Sequence, residues 1–309
     1  MQYRLRGLVA AVFTPMHGDT TLNLDSVEPI VEYLIGKGVA GLYVCGTTGE
    51  GPSLSTEERE AVAAAYVSAA RGRIPVVVQV GHTSMQDAAR LAAHAQAIGA
   101  AAISAVAPWY FKPASIDVLV DCLVMITAAA PDLPFYYYHQ PALTGVQLDM
   151  PELLRRAPER LPTLVGIKYS SQKVDDFQAC VEFGDGRYDI LFGCDEMLLS
   201  GLAAGARGAV GSTYNFLAPL YCRVIEAFER CDLDEARRYQ GPAVKPVHTI
   251  GRYRAPAGLK AAMKFIGIDC GPTRLPVAAL QPKEVERLRQ ELDAFGFFDV
   301  CNDVRRISG

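Results

Sequence analysis

The sequence predicts an α/β fold in which short parallel strands alternate with helices, and two observations carry that reading. Eight apolar runs recur before Tyr214, and helix-like segments lie between them. The runs are nearly continuous in Val, Ile, Leu, Ala and Tyr, the pattern of strands buried on both faces of a parallel sheet. In chain order the strands are expected at Leu8–Phe13, Ala40–Cys45, Pro75–Val80, Ala101–Ala107, Leu133–Tyr138, Thr163–Lys168, Asp189–Phe192 and Arg207–Gly211.

The helices follow from caps and periodicity. Asn23 precedes a helical pattern over Asp25–Lys37, and Ser55–Arg71 opens with Ser55 and Glu58, an S-x-x-E capping box that satisfies two orphan donors of the first turn. Strands joined by such helices need right-handed crossovers, so the units either close into a barrel of roughly 250 residues or form an open doubly wound sheet. The first strand leads into Thr14-Pro15 and lacks the G-x-G-x-x-G fingerprint of an open nucleotide-binding sheet. Gly201, Gly205, Gly208 and Gly211 crowd a later helix and the strand after it, where close packing explains them better than a nucleotide. Both features favour closure.

Past Tyr214 the pattern is helical alone, over Pro219–Arg230, Asp234–His248, Gly258–Phe265 and Pro282–Phe295. Residues 1–218 are therefore read as the α/β unit and 219–309 as a helical extension packed on it. The stretch Gly271–Pro276 reads as a rigid loop before the last helix, and the tail from Asn302 is expected to fray.

Composition excludes several function classes. Half of the 309 residues are apolar and 21% are charged, which excludes intrinsic disorder. A net charge of −4 with dispersed Lys and Arg leaves no electrostatic footprint for nucleic acid or an anionic bilayer. The apolar runs fall far short of the ~20 residues that a spanning helix needs. No secretory signal is legible at the N-terminus. Eight cysteines and five histidines stand singly, without zinc spacing or a disulfide framework. Reduced thiols in the cytoplasm, with no metal and no other cofactor, are expected.

In a barrel the chemistry sits at the C-terminal strand ends. Lys168 ends the run Leu164–Ile167, where an interior ammonium would be desolvated and its pKa lowered. Free lysine titrates near ~10.4 and a nucleophilic one works near ~7–8, a shift of about 4 kcal/mol. A neutral amine there could form a Schiff base with a ketone. The same position also suits a lysine snorkelling to water. Tyr138 is either a core phenol or a proton shuttle beside an iminium. The Gly46–Gly51 loop offers Thr47 and Thr48 hydroxyls and backbone N–H groups that suit a carboxylate, or is an ordinary glycine turn. Asp195-Glu196 reads equally as an acidic pair at a helix N-terminus.

Taken together, Gly46-Thr-Thr-Gly-Glu50, Tyr136–Gly145, Gly166-Ile-Lys168, Gly193-Cys-Asp-Glu196 and Gly211–Asn215 resemble the N-acetylneuraminate lyase and dihydrodipicolinate synthase superfamily. The resemblance covers most of the chain and implies a TIM (β/α)8 barrel with a C-terminal helical appendage. Leu143 stands where dihydrodipicolinate synthases carry an arginine, while Phe135–His139 and Arg274-Leu-Pro276 agree with the lyase branch. By resemblance, Lys168 is the Schiff-base lysine, Tyr138 the proton-transferring phenol, and Thr47 and Thr48 the carboxylate cradle. Tyr110 matches a tyrosine contributed across a subunit interface, and Ser170, Gly193, Asp195, Glu196 and Ser212 match positions contacting the sugar.

The activity so implied is reversible cleavage of N-acetylneuraminate to pyruvate and N-acetylmannosamine by a homotetramer. Gln140 and Cys194 depart from the usual pattern at the pocket border and bear on which sugar acid is preferred. Another pyruvate-dependent aldolase, a dihydrodipicolinate synthase, or a non-catalytic keto-acid binder are the alternatives.

Overall fold

The computed structural model describes residues 3–302, so the expected fraying beyond Asn302 lies outside the described residues. Its strands are β1 (Gly7–Ala11), β2 (Gly41–Val44), β3 (Val76–Gln79), β4 (Ala102–Val106), β5 (Phe135–His139), β6 (Leu164–Tyr169), β7 (Asp189–Phe192) and β8 (Gly208–Gly211). Each pairs in parallel with the next, and β8 pairs back to β1 through Gly7↔Gly208 and Ala10↔Gly211, so the sheet closes into a barrel.

Between strands lie α1 (Val27–Gly36), α2 (Thr56–Ala70), α3 (Met85–Ala97), α4 (Ile116–Thr127), α5 (Pro141–Thr144), α6 (Met150–Arg156), α7 (Val174–Gly186) and α8 (Leu198–Ala203). After β8 come α9 (Tyr214–Glu229), α10 (Leu233–Gly251), α11 (Ala255–Phe265), α12 (Pro282–Asp293) and α13 (Phe297–Asn302). None of the described helices is long and apolar enough to cross a membrane.

The strands read as continuous apolar runs because both faces are covered. With a period of two, Val9, Tyr43, Val77, Tyr138, Leu191 and Val210 point into the barrel. Their neighbours Leu8, Leu42, Ile103, Tyr137 and Ile190 pack against the helices. Each fully buried Val or Leu contributes about 1.5–3 kcal/mol. One end of the lumen is closed by the buried Asp189 carboxylate, which accepts from the Tyr136 hydroxyl at 2.6 Å and the Leu5 N–H at 2.8 Å.

The capping box forms: the Ser55 hydroxyl accepts the Glu58 N–H at 3.2 Å, and Glu58 accepts the Ser55 N–H at 2.9 Å. Gly201, Gly208 and Gly211 serve packing. A Cβ would lie 2.5 Å from the Phe192 ring at 201 and 2.4 Å from the Leu5 carbonyl at 208.

Several element bounds differ from the sequence reading. A 3-10 turn at Leu24–Ser26 precedes α1, and Asn23 makes no side-chain cap. α9 starts at Tyr214, so Pro219 lies inside it, and the expected division at 218/219 falls within one helix. Proline's preference for a first turn misplaced that start. α11 starts three residues early, with Pro256 in its first turn. The last expected helix stops at Asp293, and Gly296, with φ +70°, separates it from α13.

Candidate active site

The site grows from the lumen end where β5 and β6 finish. In the register Tyr138 sits beside Lys168, and both side chains point inward. Lys168 is 3% exposed, so it does not snorkel to water. Its Nζ lies 3.8 Å from the Tyr43 ring centroid and 3.9 Å from that of Tyr138. Burial drives its pKa below the ordinary lysine value, with the Tyr138 phenol and Asp195 opposing. Burial alone would raise the Tyr138 pKa, but the Lys168 charge and hydrogen bonds from Thr47 and Gln140 outweigh it and hold the phenol below its usual range. The Tyr138 hydroxyl lies 3.3 Å from Thr47 Oγ1. A lysine and a phenol with pKa values drawn together form a proton-exchanging pair.

Tyr43, absent from the sequence-based candidates, is the second wall of the amine's aromatic slot. Its ring meets Tyr138 edge-on at 5.8 Å, and its hydroxyl donates to Ser104 Oγ at 3.0 Å. Its position inside β2, with neighbours facing the helices, was the available signal.

The Gly46–Gly51 loop folds on itself. The Glu50 N–H donates to the Thr47 carbonyl at 3.1 Å, the Gly51 N–H to Gly46 O at 3.0 Å, and Thr14 Oγ1 to Gly49 O at 2.6 Å. Cys45 and Glu50, which bracket it, both have positive φ, +58° and +54°. At Gly51 a Cβ would lie 2.0 Å from the Cys45 carbonyl oxygen, so only glycine fits. Thr48 is buried and Thr47 exposed.

Beyond β5, β6 and β7 a cavity of about 870 Å³ opens, walled by His139, Gln140, Ser170, Gly193, Cys194 and Glu196 among others. Its volume suits a small-molecule ligand. Gly193 lets the walls approach, since a Cβ there would lie 2.1 Å from Ser170 Oγ. Lys168, Tyr138, Thr47, Thr48, Asp195 and Ser212 are not among its walls. The strands lead from the Lys168 slot to it: His139 follows Tyr138, Ser170 lies two residues beyond Lys168, and the Ser170 N–H donates to His139 O at 2.9 Å.

Asp195 is buried, and its Oδ2 accepts the Thr213 N–H at 2.8 Å and hydroxyl at 2.6 Å. Burial pushes its pKa up to about 6 despite those bonds. Its Oδ1 lies over Gly211, where a Cβ would come within 1.9 Å. Asp195 and Glu196 open a 3-10 turn ahead of α8. His139, to which the sequence reading gave no role, is buried with its ring tilted against Tyr169 at 4.9 Å between centroids, and burial lowers its pKa to about 4. Tyr110 stands apart at 76% exposure, edge-on to Phe111 in the loop after β4. Leu143 on α5 is exposed and apolar. Among the described residues no cluster of His, Cys, Asp or Glu is placed to hold a metal ion.

A closed (β/α)8 barrel with a desolvated lysine, a phenol and an open cavity at one mouth defines a barrel enzyme acting on a small molecule. The chain belongs to the dihydrodipicolinate synthetase family, whose model matches residues 4–295. It is 44% identical to N-acetylneuraminate lyase A of Xenopus laevis, over 89% of this chain and 91% of that one. Among solved structures it resembles N-acetylneuraminate lyase of Proteus mirabilis, with TM-score 0.92 and 38% identity over 96% of this chain and 100% of that one. A catalytic-lysine mutant of Ruminococcus gnavus sialic acid aldolase matches with TM-score 0.90 and 28% identity over 96% and 98%.

Proposed function

We propose that this protein is a class I aldolase that cleaves N-acetylneuraminate reversibly to pyruvate and N-acetylmannosamine. The observation that carries the reading is the Lys168 amine, desolvated between two phenol rings at a barrel strand end, in a chain closely similar to N-acetylneuraminate lyases. The similar Ruminococcus gnavus sialic acid aldolase, which has a catalytic lysine, supports the same chemistry.

The neutral Lys168 amine attacks the C2 ketone of the open-chain substrate, and water leaves as the iminium forms. Tyr138, paired with Lys168 and Thr47, takes the proton of the C4 hydroxyl. The C3–C4 bond then breaks, its electrons pass into the iminium as an enamine, and N-acetylmannosamine leaves as the aldehyde. Protonation at C3 and addition of water release pyruvate and restore the amine. Throughout, the N–H groups and hydroxyls of Thr47 and Thr48 hold the substrate carboxylate.

Ser170, Gly193 and Glu196 line the cavity and are assigned to the sugar hydroxyls, joined by Ser212 and by Asp195 through the oxygen not committed to Thr213. The exposed Leu143 offers no charge for the carboxylate of a second substrate, which favours this branch over a dihydrodipicolinate synthase. The exposed Tyr110–Phe111 pair suits a subunit contact in a homotetramer, with Tyr110 serving the neighbouring site. Eight free thiols suit a reducing compartment, the cytoplasm.

Borohydride reduction in the presence of pyruvate is expected to trap an adduct at Lys168, and N-acetylneuraminate to release pyruvate faster than 2-keto-3-deoxy sugar acids do. An unmodified Lys168 rejects the mechanism. Turnover of a non-sialic acid alone rejects the substrate.

A further inference from the structure

The loop assigned to the substrate carboxylate is fastened from outside the barrel. Glu50 closes that loop in a left-handed conformation, yet its carboxylate is buried. Lys260 of α11, itself 4% exposed, places Nζ 2.7 Å from Glu50 Oε1 as an ion pair off the hydrogen-bonding direction, and donates to Pro272 O at 2.8 Å. Glu50 Oε2 accepts the Arg274 N–H at 2.8 Å. The Arg274 guanidinium reaches Glu58, the capping glutamate of α2, at 2.6 and 2.9 Å, and donates to Thr20 O at 2.6 Å. Groups from α11 and the 271–276 loop thus hold Glu50 and the start of α2.

We propose that the Glu50–Lys260 pair, together with the Arg274 N–H, is a positioning device that sets the Thr47–Thr48 peptides for the pyruvyl carboxylate. Two physical reasons carry this. Glu50 is bonded through its own N–H to the Thr47 carbonyl, so displacing Glu50 turns the Thr47–Thr48 peptide that the anion meets. An unneutralised carboxylate beneath an anion-binding loop would also repel the substrate, and the Lys260 ammonium cancels that charge. The role is felt by the pyruvyl half of the substrate and not by the sugar, whose cavity walls lie at β5, β6 and β7.

The inference rests on the proposed aldolase reading, so the wild-type protein is first tested for borohydride trapping with pyruvate. Failure there rejects that reading before any variant is read. In the condensation direction, Lys260→Met is expected to raise the KM for pyruvate about tenfold, with kcat and the KM for N-acetylmannosamine within about threefold of wild type. Lys260→Arg, which keeps the charge, is expected to recover most of the loss. Should Lys260→Met be insoluble, Glu50→Gln keeps the side-chain volume but removes the carboxylate that Lys260 holds, and the loosened loop is expected to raise the pyruvate KM at least about threefold. A pyruvate KM within twofold of wild type, equal rises in both KM values, a fall in kcat alone, or failure of every variant to fold each overturns the proposal.

Discussion

Replacing Lys168 by methionine is expected to abolish trapping while making the protein more stable. The amine is enclosed between two rings, 3.8 and 3.9 Å from their centroids, and burial holds its pKa below the ordinary value. A base whose folded pKa is depressed binds fewer protons folded than unfolded. Its cost to stability is therefore full below the folded pKa, falls as pH rises from that value, and vanishes above the unfolded value near pH ~10.4. Methionine fills nearly the same length, removes the desolvated group, and sets sulfur against both rings at about 0.3–1.5 kcal/mol per contact. Relieving a desolvated amine gains about 1.4 kcal/mol for each unit by which burial depresses its pKa, and a net gain of about 2 kcal/mol is expected. For a chain of 309 residues a gain near 2 kcal/mol corresponds to about 3 °C in Tm. Thermal melts of both proteins at pH 7 and pH 9.5 measure it, with the gap expected to shrink at the higher pH. A variant less stable than wild type at pH 7, by an amount unchanged at pH 9.5, would refute a desolvated lysine.

Two further outcomes follow from the same geometry. Tyr138→Phe keeps the ring beside Lys168 and removes the proton carrier, so kcat is expected to fall about 10²–10⁴-fold while borohydride still traps pyruvate; loss of trapping with a modest fall in kcat contradicts the assignment. Burial pushes the Asp195 pKa up to about 6, from about 3.9 for a free aspartate, so the folded state binds its proton more tightly and loses about 3 kcal/mol of stability as pH rises from below 4 to above 6. Asp195→Asn is expected to flatten that loss in denaturant titrations at pH 4.5 and 7.5, and an unchanged pH slope refutes it.

Much of this fold is legible along the chain because each strand–helix unit obeys local rules. The apolar runs located all eight strands to within a residue or two, and the Ser55/Glu58 box opened α2 where expected. Proline misled at 219, where a helix already nucleated at Tyr214 and packed on the barrel tolerates the missing N–H. The rigid 271–276 loop was legible as turn chemistry, but its grip on Glu50 and Glu58 was not.

By itself the sequence determined the alternation of elements, the strand ends that carry Lys168, Tyr138 and Thr47, and the family that those motifs resemble. Only the tertiary structure decided that Lys168 stays out of water, that Tyr43 completes its slot, that Asp195 commits Oδ2 to Thr213, and that Lys260 reaches Glu50. The reason is range: caps and periodicity act over a few residues, whereas desolvation and ion pairing depend on which distant strands barrel closure brings within a few ångströms.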